Sequence, residues 1–210
     1  MPYTLLTRPV GPWPMNCYIV TCVETGASAV VDPGADAVAI LDEIARVELI
    51  IVTHAHPDHV GALDDVKTVT GAPVCLHPAD AARFEVPYDI PLHDGDLLPL
   101  GNLRLRAIHT PGHTPGQTCI ALDDPRDVAA SPCVLVGDAL FPGGPGHTRT
   151  PEDFATTLRT LREIVFRWPD ETRFYPGHGE GSTIGAVRPA FETFLARERP
   201  RDMCGDVTWE

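Results

Sequence analysis

Residues 53–62 read Thr-His-Ala-His-Pro-Asp-His-Val-Gly-Ala and place His54, His56, Asp58 and His59 within six residues. Imidazole nitrogen and carboxylate oxygen are ligands that zinc accepts, and iron and manganese suit them as well. The run directly follows Leu-Ile-Ile-Val at 49–52, which reads as a short buried strand. In an extended segment residues i and i+2 point the same way, so His54 and His56 can grip one ion. Pro57 keeps a helix from starting earlier. The chain then turns, which lets Asp58 and His59 face a second ion at the mouth of the following helix. A loop that merely happens to be rich in His and Asp rarely puts four potential ligands in six residues.

Three more positions complete the set. His113 lies in Thr-Pro-Gly-His-Thr-Pro-Gly-Gln, just past an expected strand at 103–109. Asp138 ends Cys-Val-Leu-Val-Gly-Asp, and His178 lies in Tyr-Pro-Gly-His-Gly, just after an expected strand at 173–175. Each sits on a Gly- or Pro-bounded loop at a strand end, where a rigid scaffold presents functional groups. Together they make seven ligands, enough for two metals and one bridging carboxylate.

The elements that must position them follow from patterning. Apolar or alternating runs predict strands at 15–23, 28–31, 49–52, 73–76, 103–109, 118–122, 133–136 and 173–175. Helical spacing predicts helices at 37–46, 59–71, 79–84 and 184–197. A longer helix opens at Thr150-Pro151-Glu152-Asp153, with Thr150 as N-cap and a buried stripe of Phe154, Leu158, Leu161 and Val165. Clustered strands interleaved with helices fit a two-sheet sandwich flanked by helices. His77 reads as a helix start before Pro78, His93 as a surface turn, and His109 as facing the core or backing a ligand; none is expected to bind metal.

Composition bounds the rest. The 210 residues suit one domain spanning 1–210, and 43% hydrophobic with 21% charged residues exclude a disordered chain. With 16 Lys and Arg against 29 Asp and Glu, the net charge of −13 argues against a nucleic-acid partner. No apolar run approaches the roughly 18 residues that cross a bilayer, and the start of the chain lacks a signal-peptide pattern. A cytoplasmic protein with no membrane partner is expected. Cysteines 17, 22, 75, 119, 133 and 204 form no Cys-x-x-Cys pair and are expected as small buried hydrophobes.

The motifs THAHPDH, TPGHT, GDALF and YPGHG, in that order, resemble the metallo-β-lactamase superfamily. The resemblance covers nearly the whole chain and implies an α/β (α+β) fold, a four-layer αββα sandwich with the metal site along one edge of the sheets. It implies that His54, His56 and His113 hold the first metal, that Asp58, His59 and His178 hold the second, and that Asp138 bridges them. Family members that hold their second zinc with a cysteine carry it where this chain has Asp138, which argues against a β-lactamase. Nuclease branches carry a further domain that 210 residues cannot house. The segments GDALFPGGPG and YPGHGEGSTIG look most like compact glyoxalase II (hydroxyacylglutathione hydrolase), without its C-terminal helical domain. Where that group continues Gly-x-Gly-Arg, this chain has Gly144-Pro145-Gly146-His147. His147 or Arg149 is then the candidate for the missing substrate-binding arginine.

The implied chemistry is hydrolysis of an acyl-thiol conjugate. Two divalent cations, zinc first and iron or manganese next, lower the pKa of a shared water toward about 7, and the hydroxide attacks the acyl carbon. Asp58 is placed to orient that hydroxide, and no Ser or Cys nucleophile is needed. Asp32, in Val-Asp-Pro-Gly at a strand end, is the candidate to hydrogen-bond the outer nitrogen of a ligand histidine. A mononuclear-iron persulfide dioxygenase and a lactonase are the alternatives within the same family.

Overall fold

A computed structural model describes residues 2–42, 44–123 and 133–209. Tyr3–Val10 (β1), Met15–Cys22 (β2) and Ser28–Val31 (β3) form an antiparallel meander. After Ala37–Leu41 (α1) the chain switches to parallel pairing. Val47–Ile51 (β4) lies beside β3, and after Pro57–Val60 (α2) and Leu63–Thr70 (α3) comes Val74–Leu76 (β5). Pro78–Phe84 (α4) then leads to Ile90–Pro91 (β6), which closes a sheet ordered β1-β2-β3-β4-β5-β6.

The second sheet grows from Leu97–Leu100 (β7), Leu103–His109 (β8), Thr118–Asp123 (β9) and Cys133–Gly137 (β10), all antiparallel. A small hairpin, Leu140–Phe141 (β11) and Gly144–Pro145 (β12), precedes the helix Pro151–Glu163 (α5). Arg173–Pro176 (β13) then pairs parallel with β10, followed by Ser182–Thr183 (β14) and Ile184–Ala196 (α6).

The layers are those expected. Val20, Val31 and Ile51 of one sheet meet Leu105, Ile120 and Leu135 of the other in a central core. The outer face of the second sheet, with Val134 and Val136, packs on Phe154, Leu161 and Phe191 of α5 and α6. Ile50 and Leu76 carry Leu63 and Val66 on the outer face of the first sheet. β2 is therefore buried on both faces and reads as a nearly continuous apolar run, whereas β8 buries Leu103, Leu105 and Ala107 and exposes Arg104 and Arg106.

The boundaries differ where backbone groups find other partners. The expected helix 37–46 stops five residues early, at Leu41, and Arg46 O already accepts from Ser28 N–H at 2.9 Å as the chain enters β4; position 43 lies outside the described residues. The expected helix 59–71 is two helices, because Ala62 N–H donates to Pro33 O at 2.9 Å instead of continuing the helical ladder. β7 escaped notice because Pro99 argues against a strand, yet β7 is at the sheet edge, where a missing donor is tolerated. Five cysteines are buried as expected, but Cys204 is exposed, because it lies on a surface segment beyond α6. Among the described residues no helix is long and apolar enough to cross a membrane.

Candidate metal centre

β3 and β4 run parallel, as do β10 and β13, so their carboxyl ends deliver loops to one edge of the sandwich. Hydrogen bonds stitch the two sheets together there. Thr118 N–H donates to Thr53 O at 2.9 Å, and Asn16 N–H to Gly177 O at 2.7 Å. The Asn16 amide reaches Pro176 O (3.1 Å) and Gly179 O (2.8 Å), and Tyr18 O–H donates to Pro176 O at 2.6 Å. All seven predicted ligand residues meet at this edge.

His54, His56 and His113 form the first trio. His113 Nε2 lies 2.9 Å from His56 Nδ1 and 3.2 Å from His54 Nε2. Burial, and then the neighbouring imidazoles, keep these rings neutral: the His54 pKa is held well below the usual value, His56 at about 4 and His113 at about 3. The lone pairs are aimed from behind. His113 Nδ1–H donates to His147 O at 2.8 Å. Thr53 O–H donates to Asp32 Oδ2 at 2.6 Å and accepts from His54 Nδ1 at 3.2 Å.

Asp58, His59 and His178 form the second trio. His178 Nε2 lies 3.1 Å from Asp58 Oδ2, and His59 Nε2 lies 3.9 Å from the same oxygen. Burial opposes charge on His59, but the carboxylates of Asp32, Asp138 and Asp58 outweigh it and lift its pKa to about 9. The hydrogen bond between His178 and Asp58 raises the histidine and holds the carboxyl well below its usual range. Outer nitrogens are again fixed: His59 Nδ1–H donates to Asp32 Oδ2 at 2.9 Å, and His178 Nδ1–H to Pro14 O at 3.1 Å. Asp32 also accepts from Thr53 N–H at 2.7 Å, so one buried carboxylate braces both trios, as its sequence position suggested.

Asp138 stands between the trios. Its Oδ1 is 3.6 Å from His59 Nε2, while Oδ2 is 3.7 Å from His113 Nε2 and 3.9 Å from His178 Nε2. Burial pushes its pKa up. His59 Nε2 and Asp138 Oδ1 are both buried without a hydrogen-bond partner. Buried polar atoms are nearly always satisfied, so two orphans facing one point mark where a cation fits. Gly177 permits the approach, since a Cβ there would lie 2.2 Å from Asp138 Oδ1. The donor set, imidazole nitrogen and carboxylate oxygen, suits zinc, iron or manganese.

One residue of this centre escaped the sequence reading. Asp80, fully buried in α4, accepts from Ala55 N–H at 3.0 Å, Thr114 O–H at 2.8 Å and Gly116 N–H at 2.6 Å. It thereby ties the loop of His54 and His56 to the loop of His113. Its one signal, an acid in the first turn of a helix, is also the signal of ordinary helix capping.

The remaining histidines stand apart from the trios. His77 is the N-cap of α4 and stacks on His109 at 4.2 Å between centroids. His109 Nε2–H donates to Pro115 O at 2.8 Å, which touches the His113 loop from behind, and His93 is exposed beside Asp96. His147 lines a cleft next to Asp138, with its ring turned to Asp206. Arg149 is exposed and near enough to His56 to help lower its pKa.

Comparison with known proteins agrees with this geometry. A family model described as the metallo-beta-lactamase superfamily matches residues 10–178. The hydroxyacylglutathione hydrolase GloC of Haemophilus influenzae is 31% identical over 200 residues, covering 84% of this chain and 91% of that protein. The solved structure of TTHA1623 in a di-iron-bound form is 30% identical, with a TM-score of 0.64 over 86% of this chain and 96% of that one. The B3 metallo-beta-lactamase BLEG-1 is 26% identical, with a TM-score of 0.72 over 87% and 95% of the two chains.

Proposed function

The chain belongs to the metallo-beta-lactamase superfamily, and from that premise we propose that it is a dinuclear metallo-hydrolase that cleaves acyl thioesters of the hydroxyacyl-thiol kind. The observation that carries this reading is the convergence of two complete trios on Asp138. Likeness to GloC, a hydroxyacylglutathione hydrolase, supports the thioester, and likeness to TTHA1623, solved with two irons, supports a pair of metals. His54, His56 and His113 would hold one ion, Asp58, His59 and His178 the other, and Asp138 both. When bound, such a pair supplies an acidified water and an electrophile for the acyl carbonyl.

The protein's own groups do the rest. Asp58 is a half-exposed carboxylate held well below its usual range, so it can accept a hydrogen bond from the attacking water and aim its lone pair. Asp32 and the carbonyls of His147 and Pro14 keep the imidazoles in the tautomers that present a lone pair inward. The cleft of about 370 Å³ beside Asp138 gives the thiol side of the substrate a place to lie.

Metal analysis and a substrate panel test the reading. Zinc- and iron-loaded protein should hold two ions per chain and hydrolyse S-lactoylglutathione or another acyl-thiol conjugate faster than simple lactones. One iron per chain with oxidation of glutathione persulfide and no thioester hydrolysis would assign it to the dioxygenases instead.

A further inference from the structure

The cleft beside Asp138 has one wall that the ligand loops do not supply. The segment after α6 runs back over the β11–β12 hairpin. Gly205 and Thr148 exchange both main-chain hydrogen bonds, at 2.8 and 3.2 Å, and Trp209 N–H donates to Gly143 O at 2.9 Å. The Trp209 indole lies against Phe191 and Phe194, 5.3 Å from each centroid. Gly144 comes so close that a Cβ there would sit 2.2 Å from Val207 O. This docking brings Asp206 and Val207 to the cleft that Asp138, Phe141, Pro145 and His147 also line.

The charge of that cleft is one-sided. Among the described residues neither lysine nor arginine lines it. Its histidine is already engaged, because His147 Nδ1 lies 3.0 Å from Asp206 Oδ1, with the aspartate side chain 90% exposed. A carboxylate placed beside Asp206 would meet a like charge. The three arginines that follow α6 do not help. Arg199 caps the helix, donating to Phe194 O at 2.7 Å over the Phe194 ring, and Arg197 and Arg201 are outside the cleft.

We propose that Asp206 is a specificity residue, which selects thioesters whose thiol carrier presents a neutral or cationic group to this cleft over carriers that present a carboxylate. The inference rests on the thioester reading above. An exposed charge acts through a largely aqueous gap, so the effect is modest and falls with salt. It acts on binding of the carrier, away from the acyl carbon, so it is read in KM and not in kcat.

The test compares one acyl group on three thiols with the metal-loaded protein: glutathione (anionic), N-acetylcysteamine (neutral) and thiocholine (cationic). The wild type should prefer the thiocholine ester to the glutathione ester. Asp206→Asn should raise the ratio of kcat/KM for glutathione over thiocholine about tenfold, through KM, and Asp206→Glu should keep the wild-type ratio. Salt raised from about 0.05 M to about 1 M should shift the wild-type ratio in the same direction as Asp206→Asn. Turnover on all three thiols with a ratio unchanged in Asp206→Asn overturns the role of Asp206 alone. No turnover on any of the three overturns the thioester reading, and the preference with it.

Discussion

His54, His56 and His113 converge as neutral bases in a buried recess, whereas Asp58, His59 and His178 converge as a charge-paired group at its more open end. Without a cation the second trio partly satisfies itself, since His178 and Asp58 bond each other at 3.1 Å. The first trio holds no such ion pair: its three neutral imidazoles approach one another at 2.9 and 3.2 Å. A cation entering the first position gains ligands and breaks nothing of value. One entering the second position must part the Asp58–His178 pair. The first position is therefore expected to be the tighter one, with the affinity of the second resting on the negative charge of Asp58 and Asp138.

Removing a first-trio ligand tests that ranking most severely. His54→Ala or His113→Ala should abolish hydrolysis, with metal content falling to about half or less by elemental analysis. His178→Ala should lose the second ion and leave the first in place. Full occupancy with normal turnover in His54→Ala would reverse the comparison.

Asp138→Asn keeps the shape of the bridge and removes its charge. A unit charge about 4 Å from a cation is worth ~4 kcal/mol at an effective dielectric of about 20. The second ion should therefore bind at least about a hundredfold more weakly, and excess metal should restore part of the activity. Two tightly held ions with unchanged turnover would show that Asp138 is no bridge.

Asp80→Asn separates the trios more gently. Asp80 touches the His54–His56 segment and the His113 loop directly, so the variant should weaken the first ion by about 10- to 100-fold. It should also lower unfolding stability by about 1–3 kcal/mol, from loosened hydrogen bonds in a buried place. Metal titration and urea unfolding measure the two effects. Equal weakening of both ions would mean that the loops are not held independently.

Much of this was legible in the chain itself. His54, His56, Asp58 and His59 are neighbours in sequence, and the strands that end in ligands are apolar enough to be read at once. β2 and β8 differ in patterning because one is buried on both faces and the other on one. What stayed hidden depends on partners distant in sequence. Asp80 is 25 residues from Ala55 and 36 from Gly116, and no local pattern distinguishes it from a helix-capping acid. Asp206 pairs with His147 across 59 residues, a partnership that no local pattern announces. The split of the expected helix at 59–71 turned on a single carbonyl, that of Pro33.

Each trio also joins stretches far apart along the chain. His113 meets His54 and His56 across 59 and 57 residues, and His178 meets Asp58 across 120. Closing loops of that length is slow relative to pairing adjacent strands such as β1 with β2 or β8 with β9. Each trio needs loops from both sheets, which Asn16 and Tyr18 fasten one to the other. The first sheet alone carries His54, His56, Asp58 and His59, and the second alone carries His113, Asp138 and His178, so neither sheet by itself completes either trio.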